Sequence, residues 1–141
     1  MVDELRVQRL LRSVSDELDL LSHEAAADGE RRADPIWLRG VKYSMISAVE
    51  GCVDVAQHLC SSEGWGPPAD NGDAMRVLGR HGVVERDHAD RLVRAVGFRN
   101  VLVHEYVDVD DRIMLDRLAD LTDLRRFQQA VAVWLHEHQR P

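Results

Sequence analysis

The residues best suited to chemistry lie in one short segment, Arg-Asn-Val-Leu-Val-His-Glu-Tyr, which runs from Arg99 to Tyr106. Arginine stays charged and can hold two phosphate oxygens at once. Histidine, with a reference pKa of about 6.5, can accept or donate a proton near neutral pH. A guanidinium and an imidazole this close in the chain, with the carboxamide of Asn100 between them, indicate chemistry on a phosphodiester.

RNA is the natural target because its 2'-hydroxyl supplies the nucleophile. Cleavage then needs only a proton acceptor and charge stabilisation in the transition state, so the chemistry requires no metal. We predict Arg99 and His104 as catalytic residues, with Asn100 orienting either of them. The alternative is that an Arg and a His at a helix end only satisfy the last carbonyl groups and the negative end of the helix dipole.

Helical geometry limits how these side chains can meet. Arg99 and His104 are five residues apart, about 500° around an ideal helix, and therefore lie on different faces. Asn100 and His104 are four apart and share a face. Convergence on one small anion thus requires the helix to bend or fray near His104, with the length of the arginine side chain closing part of the gap.

Hydrophobic periodicity predicts the elements that must position this segment: four long helices and one short helix. Asp34 and Pro35 provide a cap and a first helical residue, and Gly82 ends the short helix. The run 106–110 alternates like a strand, but we expect an extended connection because no partner strand exists. The mid-helix Gly97 suggests close packing at that point. The predicted long helices cover 4–27, 35–60, 85–104 and 112–138, the short one covers 73–81, and 61–72 is a Gly- and Pro-rich loop.

A row of polar residues runs along one face of the second predicted helix, whose surface is otherwise mostly apolar; we call it the polar stripe. Glu50, Asp54 and His58 follow one another at intervals of four residues, and charges on such a helix need partners. Glu50 and Asp54 either support Arg99 and His104, fixing the guanidinium or the imidazole tautomer, or form structural ion pairs with other arginines. The residues alone leave both possibilities open.

Other polar residues give weaker indications. Two carboxylates four apart could suggest a metal, but no second cluster supplies further ligands. The sequence His136-Glu137-His138 is not H-E-x-x-H either, so we predict no metal site and no cofactor. Trp65 could stack on a base, although anchoring its loop to the bundle is the commoner role for such a residue.

Size and charge limit the class of protein. The 141 residues fit a single domain, 1–141. The formal net charge of -7 gives no overall electrostatic basis for nucleic-acid binding, so any such site must be local. Cys52 and Cys60 lie eight apart on one predicted helix, about 12 Å, which is too far for a disulfide. With no signal peptide and no long apolar run, we expect a reduced, cytoplasmic protein that does not enter a membrane.

Two stretches resemble a known family. The sequence from 96 to 106, Val-Gly-Phe-Arg-Asn-Val-Leu-Val-His-Glu-Tyr, resembles the R-x4-6-H-x-Y signature of HepT-like HEPN toxins. The stretch from Ser47 to His58 is similar to the family's E-x-C-x-D-x-A-x-H pattern, and the likeness continues through 73–78. It covers residues 35 to 135 approximately. The resemblance implies an all-α, HEPN-type bundle that forms homodimers with the motifs facing each other across a cleft.

The resemblance also implies a function. HepT-like proteins are metal-independent endoribonuclease toxins, in which the position of Arg99 engages the phosphate and that of His104 transfers a proton. An MntA-like nucleotidyltransferase antitoxin adds AMP units to the tyrosine that corresponds to Tyr106 and silences the nuclease. The competing interpretation is a non-catalytic helical subunit that binds a nucleotide or a nucleotidyltransferase, which accounts more easily for the acidic surface.

Overall fold

The computed structural model describes residues 2–104 and 111–138, and the regular structure in these residues is entirely helical. The predicted all-α class is confirmed, and three of the predicted long helices and the short one are present. The fourth long helix is divided into two, and one short helix, α2, was not predicted. In chain order the elements are α1 (Glu4–Glu24), α2 (Gly29–Arg32), α3 (Pro35–Ser62), α4 (Asn71–Arg80), α5 (Arg86–His104), α6 (Asp111–Ala119) and α7 (Thr122–Glu137).

Aspartate side chains account for both additional helices. The prediction of one continuous helix over 112–138 is wrong, because the Asp120 carboxylate accepts the backbone N–H of Thr122 at 3.0 Å and separates α6 from α7. Asp28 likewise accepts the N–H of Arg31 at 2.8 Å and starts α2. Short acidic side chains compete in this way for backbone donors and favour turns and caps over helix interiors.

The central pair of the bundle is α1 against α3, which run antiparallel. The backbone N–H of Asp3 donates to Nε2 of His58 at 3.0 Å, whereas further along α1 the Val14 side chain packs against Gly51. A Cβ at Gly51 would collide with Val14, so this close approach requires glycine. Other fully buried side chains come from α4, α5, α6 and α7 and include Leu78, Leu92, Met114 and Phe127.

The prediction of close packing at Gly97 is wrong. Gly97 lies within α5 but is exposed, and a Cβ built on it would meet nothing within 4 Å. Its small size is therefore not required by a neighbouring element among the described residues. Periodicity located the helix correctly, but it could not show that this face of α5 is open.

Helix α5 lies across α3 in the opposite direction. Val93 of α5 lies beside Gly72 of α4, whose neighbour Asn71 accepts a hydrogen bond from Gln57 of α3. Six residues further along α5, Arg99 contacts Glu50 of α3. From Val93 to Arg99, α5 thus runs back along α3, and the same helix continues to His104.

The loop after α3 is fixed by aromatic contacts. Trp65 stacks on His81 with 4.2 Å between ring centroids and meets Trp134 edge-on at 5.9 Å. His138 stacks in turn on Trp134 at 4.3 Å. Trp65 thus anchors its loop to α4 and α7 rather than presenting a free ring.

The two cysteines are free thiols in the core. Cys52 and Cys60 are both buried and form no disulfide, and burial raises the pKa of Cys52 to about 12. None of the described helices combines the length and the apolar character needed to cross a membrane.

Candidate active site

Arg99 is held in the candidate site by two neighbouring side chains. Its guanidinium forms a charged hydrogen bond with Glu50 of α3, and a second amino group donates to Oδ1 of Asn100 at 3.0 Å. The Arg99 side chain is 20% exposed and that of Glu50 is 47% exposed. Nε of Arg99 is buried and has no hydrogen-bond partner among the described residues. The guanidinium is thus held by both of its amino groups and keeps a small exposed fraction.

His104 is the last residue of α5 and is exposed. Helix α5 continues without interruption through His104, and residues 105–110 lie outside the described part of the chain, so the bend near His104 stays a prediction. Five helical residues separate its Cα from that of Arg99 by about 7.5 Å along the axis. The described residues therefore place both groups at the same end of α5 but do not bring them into contact. Tyr106 lies outside the described residues.

Asp54 lies one turn beyond Glu50 and close to two arginines. Partial burial and the Glu50 carboxylate raise the pKa of Asp54, whereas Arg6 and Arg99 act to lower it. Asp54 therefore belongs to the same electrostatic cluster as Arg99, although much of its surface is still exposed and no hydrogen bond to Arg99 is found among the described residues. The two carboxylates and two guanidinium groups together carry no net charge.

His58, the third residue of the stripe, plays a different role. Its Nε2 accepts the N–H of Asp3 and lies 3.2 Å from the hydroxyl of Ser62, so the ring proton sits on Nδ1. Burial, and then the charge of Arg6, lower the pKa of His58. Its neutral imidazole joins α1 to α3 and does not contact Arg99.

Arg6 is the member of this cluster that the sequence did not suggest. It lies on the first turns of α1, and its charge acts on both Asp54 and His58. Nothing in the local sequence distinguishes it from the other exposed arginines of α1. Only the antiparallel packing of α1 on α3 brings it beside the stripe.

No group of three or more His, Cys, Asp or Glu side chains in the described ranges is arranged to hold a metal ion. The site consists instead of a paired arginine, an exposed histidine on the same helix and the carboxylates of α3. Such groups can bind an anion and exchange a proton.

Comparison with known proteins identifies the family. Residues 11–131 match the family model described as Ribonuclease HepT-like. The chain belongs to the HepT-like ribonuclease family. The resemblance seen in the sequence is thereby confirmed, as is the prediction that this HepT-like protein is an enzyme of the endoribonuclease class.

Two curated relatives are consistent with this membership. A protein of Archaeoglobus fulgidus, provisionally named an RNase, is 30% identical over 95 residues, which are 67% of this chain and 71% of the relative. The mRNA nuclease HepT of Shewanella oneidensis is 30% identical over 61 residues, 43% of this HepT-like chain and 46% of the relative.

Solved structures share the fold of this HepT-like chain. The cytosolic protein YutE of Bacillus subtilis, whose function is unknown, gives a TM-score of 0.85 at 20% identity and covers 99% of this chain and 95% of its own. The tri-AMPylated HEPN toxin of Shewanella oneidensis, in complex with its MNT antitoxin, gives 0.84 at 19% identity over 94% and 99% of the two chains. These likenesses confirm the HEPN-type helical bundle.

Proposed function

We propose that this HepT-like protein is the toxin of a toxin-antitoxin pair and cleaves RNA without a metal ion. Arg99 binds the scissile phosphate and His104 transfers the proton. The observation that carries this proposal is the partly exposed guanidinium of Arg99, held by Glu50 and Asn100 on the helix that ends at the exposed His104.

The proposed reaction is an internal transesterification. The 2'-oxygen attacks the adjacent phosphorus while the bond from phosphorus to the 5'-oxygen breaks, which leaves a 2',3'-cyclic phosphate and a 5'-hydroxyl. His104 takes the proton of the 2'-hydroxyl, and the departing 5'-oxygen receives a proton from water. Arg99 stabilises the negative charge on the phosphorane-like transition state, where a charged, preorganised donor has its largest effect.

The supporting residues have distinct tasks in this proposal. Glu50 positions the Arg99 guanidinium from α3, and Asn100 limits its rotation from the next position of α5. Asp54 adds negative charge one turn away and keeps the arginines of the cluster from binding anions indiscriminately. Asn100 also shares a helical face with His104 and can orient its ring.

We further propose how the enzyme is controlled. The partner is an MntA-like nucleotidyltransferase antitoxin that transfers AMP units to Tyr106, and the enzyme acts as a homodimer in the cytoplasm. Support comes from family membership and from the Shewanella toxin, whose structure contains an AMPylated HEPN toxin with its MNT antitoxin. A phenol two residues from His104 would carry the added phosphates to the place that the RNA backbone must occupy.

The central experiment tests cleavage without metal. Purified protein lacking its partner is incubated with single-stranded RNA in EDTA, and the products are analysed for 2',3'-cyclic phosphate. His104→Ala should reduce cleavage by at least about 100-fold, the lower range for general acid–base catalysis. His136→Ala, which alters an exposed histidine of α7, is the matched control and should retain full activity. A requirement for added metal, or full activity in His104→Ala, would refute the mechanism.

A second experiment tests the modification. The chain has two tyrosines, Tyr43 and Tyr106, so each can be replaced in turn. After co-expression with the neighbouring nucleotidyltransferase gene, intact-mass analysis should reveal increments of AMP in the native protein and in Tyr43→Phe but not in Tyr106→Phe. Increments that persist in Tyr106→Phe would place the modification on another residue.

The overall acidity favours one alternative function. With a net charge of -7 and Glu50 already on Arg99, the protein could instead be a non-catalytic subunit that binds a nucleotide or a nucleotidyltransferase. The EDTA experiment separates the two functions. A non-catalytic subunit would leave RNA intact and would still bind its nucleotidyltransferase partner in a pull-down.

A further inference from the structure

One large exposed side chain of α3 has no role in the mechanism above. Tyr43 of α3 is 69% exposed, although an aromatic ring of this size usually contributes to a core or an interface. We propose that Tyr43 is a stacking platform for a base of the RNA next to the cleaved phosphodiester. The inference rests on the proposed ribonuclease function and adds to it a residue that binds substrate.

Helical geometry places Tyr43 on the correct face. It precedes Glu50 by seven residues, two turns of α3, so the two residues differ by only about 20° around the axis and by about 10.5 Å along it. Glu50 is the residue that holds Arg99. Tyr43 and Glu50, the partner of Arg99, therefore lie along one stripe of α3.

The direction of α5 places His104 on the Tyr43 side of Arg99. From Val93 to Arg99 the helix runs back along α3 towards Glu50, and it continues in the same direction to His104. An RNA strand with one phosphate on Arg99 and its 2'-hydroxyl near His104 would thus extend towards Tyr43.

Stacking would also supply RNA affinity that charge attraction at this site cannot provide. The carboxylates of Glu50 and Asp54 offset the nearby arginines, and the molecule has a net charge of -7, so charge attraction can supply little of the affinity. Proteins that bind single-stranded RNA commonly stack bases on aromatic rings, with little dependence on base identity. Tyr43 provides such a ring where electrostatic attraction is weak.

A matched control lies on the same stripe. Ile36 precedes Tyr43 by another seven residues and is 71% exposed. If this face of α3 is covered by a protein, Ile36→Ala and Tyr43→Ala should have similar effects, and both should change the oligomeric state. If Tyr43 stacks on a base, only Tyr43→Ala should affect RNA binding.

The test combines protein variants with modified RNA. Binding is measured by fluorescence anisotropy in the cleavage-deficient His104→Ala background, using a single-stranded oligoribonucleotide and the same strand with one abasic site moved stepwise along it. Tyr43→Ala should weaken binding of intact RNA by about fivefold or more, and Tyr43→Phe should restore it. At one position, the abasic site should weaken binding by the same factor when Tyr43 is present. It should not change the affinity of Tyr43→Ala.

The outcomes separate this inference from the proposed function. If the native protein cleaves RNA in EDTA but Tyr43→Ala binds intact and abasic RNA as tightly as the parent, only the platform is refuted. Equal losses in Ile36→Ala and Tyr43→Ala, accompanied by a change of mass in light scattering, would also refute it and assign the face to a protein contact. If the native protein neither binds nor cleaves RNA, both proposals fail.

Discussion

At the scale of single residues, the polar stripe of α3 divides into two parts. Glu50 contacts Arg99, and Asp54 is influenced by the same arginine, whereas His58 accepts a backbone N–H from the start of α1. The three side chains look equivalent in the sequence because they share one helical face. Their roles differ because different helices cover the two ends of that face.

His58 makes the stability of the fold sensitive to pH. Burial and Arg6 lower the pKa of His58, so the folded protein keeps the ring neutral. As the pH falls from about 6.5 towards the lowered pKa, the unfolded chain binds a proton that the folded protein does not, and the free energy of unfolding decreases.

We therefore expect the free energies of unfolding of His58→Gln and the native protein to differ most at neutral pH. The glutamine oxygen can accept the N–H of Asp3 but does not titrate. Urea unfolding at pH 7.5 and 5.5 should reveal a smaller stability advantage of the native protein at pH 5.5. A difference between the two proteins that does not change with pH would contradict this assignment of His58.

The sequence anticipated only part of the residue-level picture. The periodicity of α3 placed Glu50 on a stripe able to reach Arg99, because residues four apart in a helix share a face. Arg6 and Tyr43 could not be found in this way. Their proximity to the site depends on the direction and register in which α1 and α5 cross α3, which local periodicity does not specify.

At the scale of helices, sequence patterns predicted where helices lie more accurately than where each helix ends. Apolar periodicity and the Asp34-Pro35 cap predicted α3 to begin at Pro35, where it does begin. The split between α6 and α7 was missed because apolar residues continue in register on both sides of Asp120. One side-chain hydrogen bond to Thr122 decides that break.

Two glycines in neighbouring helices should respond oppositely to the same substitution. Gly51→Ala places a methyl group against Val14, where α1 and α3 are in closest contact, and should destabilise the fold by about 1–3 kcal/mol. Gly97→Ala meets open space in α5 and should stabilise it by up to about 1 kcal/mol. Thermal or urea unfolding of both variants measures the contrast, and equal effects would disprove the packing described here.

At the scale of the whole molecule, charge separates this protein from nucleic-acid binders that rely on basic surfaces. The chain carries 18 basic and 25 acidic side chains, and at the described candidate site Arg99 is already paired with Glu50. RNA affinity should therefore depend only weakly on salt. Each neutralised phosphate of a single strand contributes a slope of about 0.7 in log K against log salt concentration.

We predict that log K for RNA binding falls with log salt concentration with a total slope of about 0.7 to 1.5 in magnitude, which corresponds to one or two phosphate contacts. The measurement is RNA binding by His104→Ala between low and physiological salt, with Arg99→Gln expected to lower the slope by about 0.7. Arg12→Gln, an exposed change elsewhere on α1, should leave the slope unaltered. A slope of four or more would indicate a long basic path that the described residues do not contain.

The stacked rings around Trp65 give the molecule a built-in optical probe. Trp65 and Trp134, two of the three tryptophans, lie face to face with His81 and His138 at the end of the bundle where α3 finishes. Tryptophan emission should therefore change sharply when α3, α4 and α7 separate, which provides a label-free readout of folding in every variant suggested above.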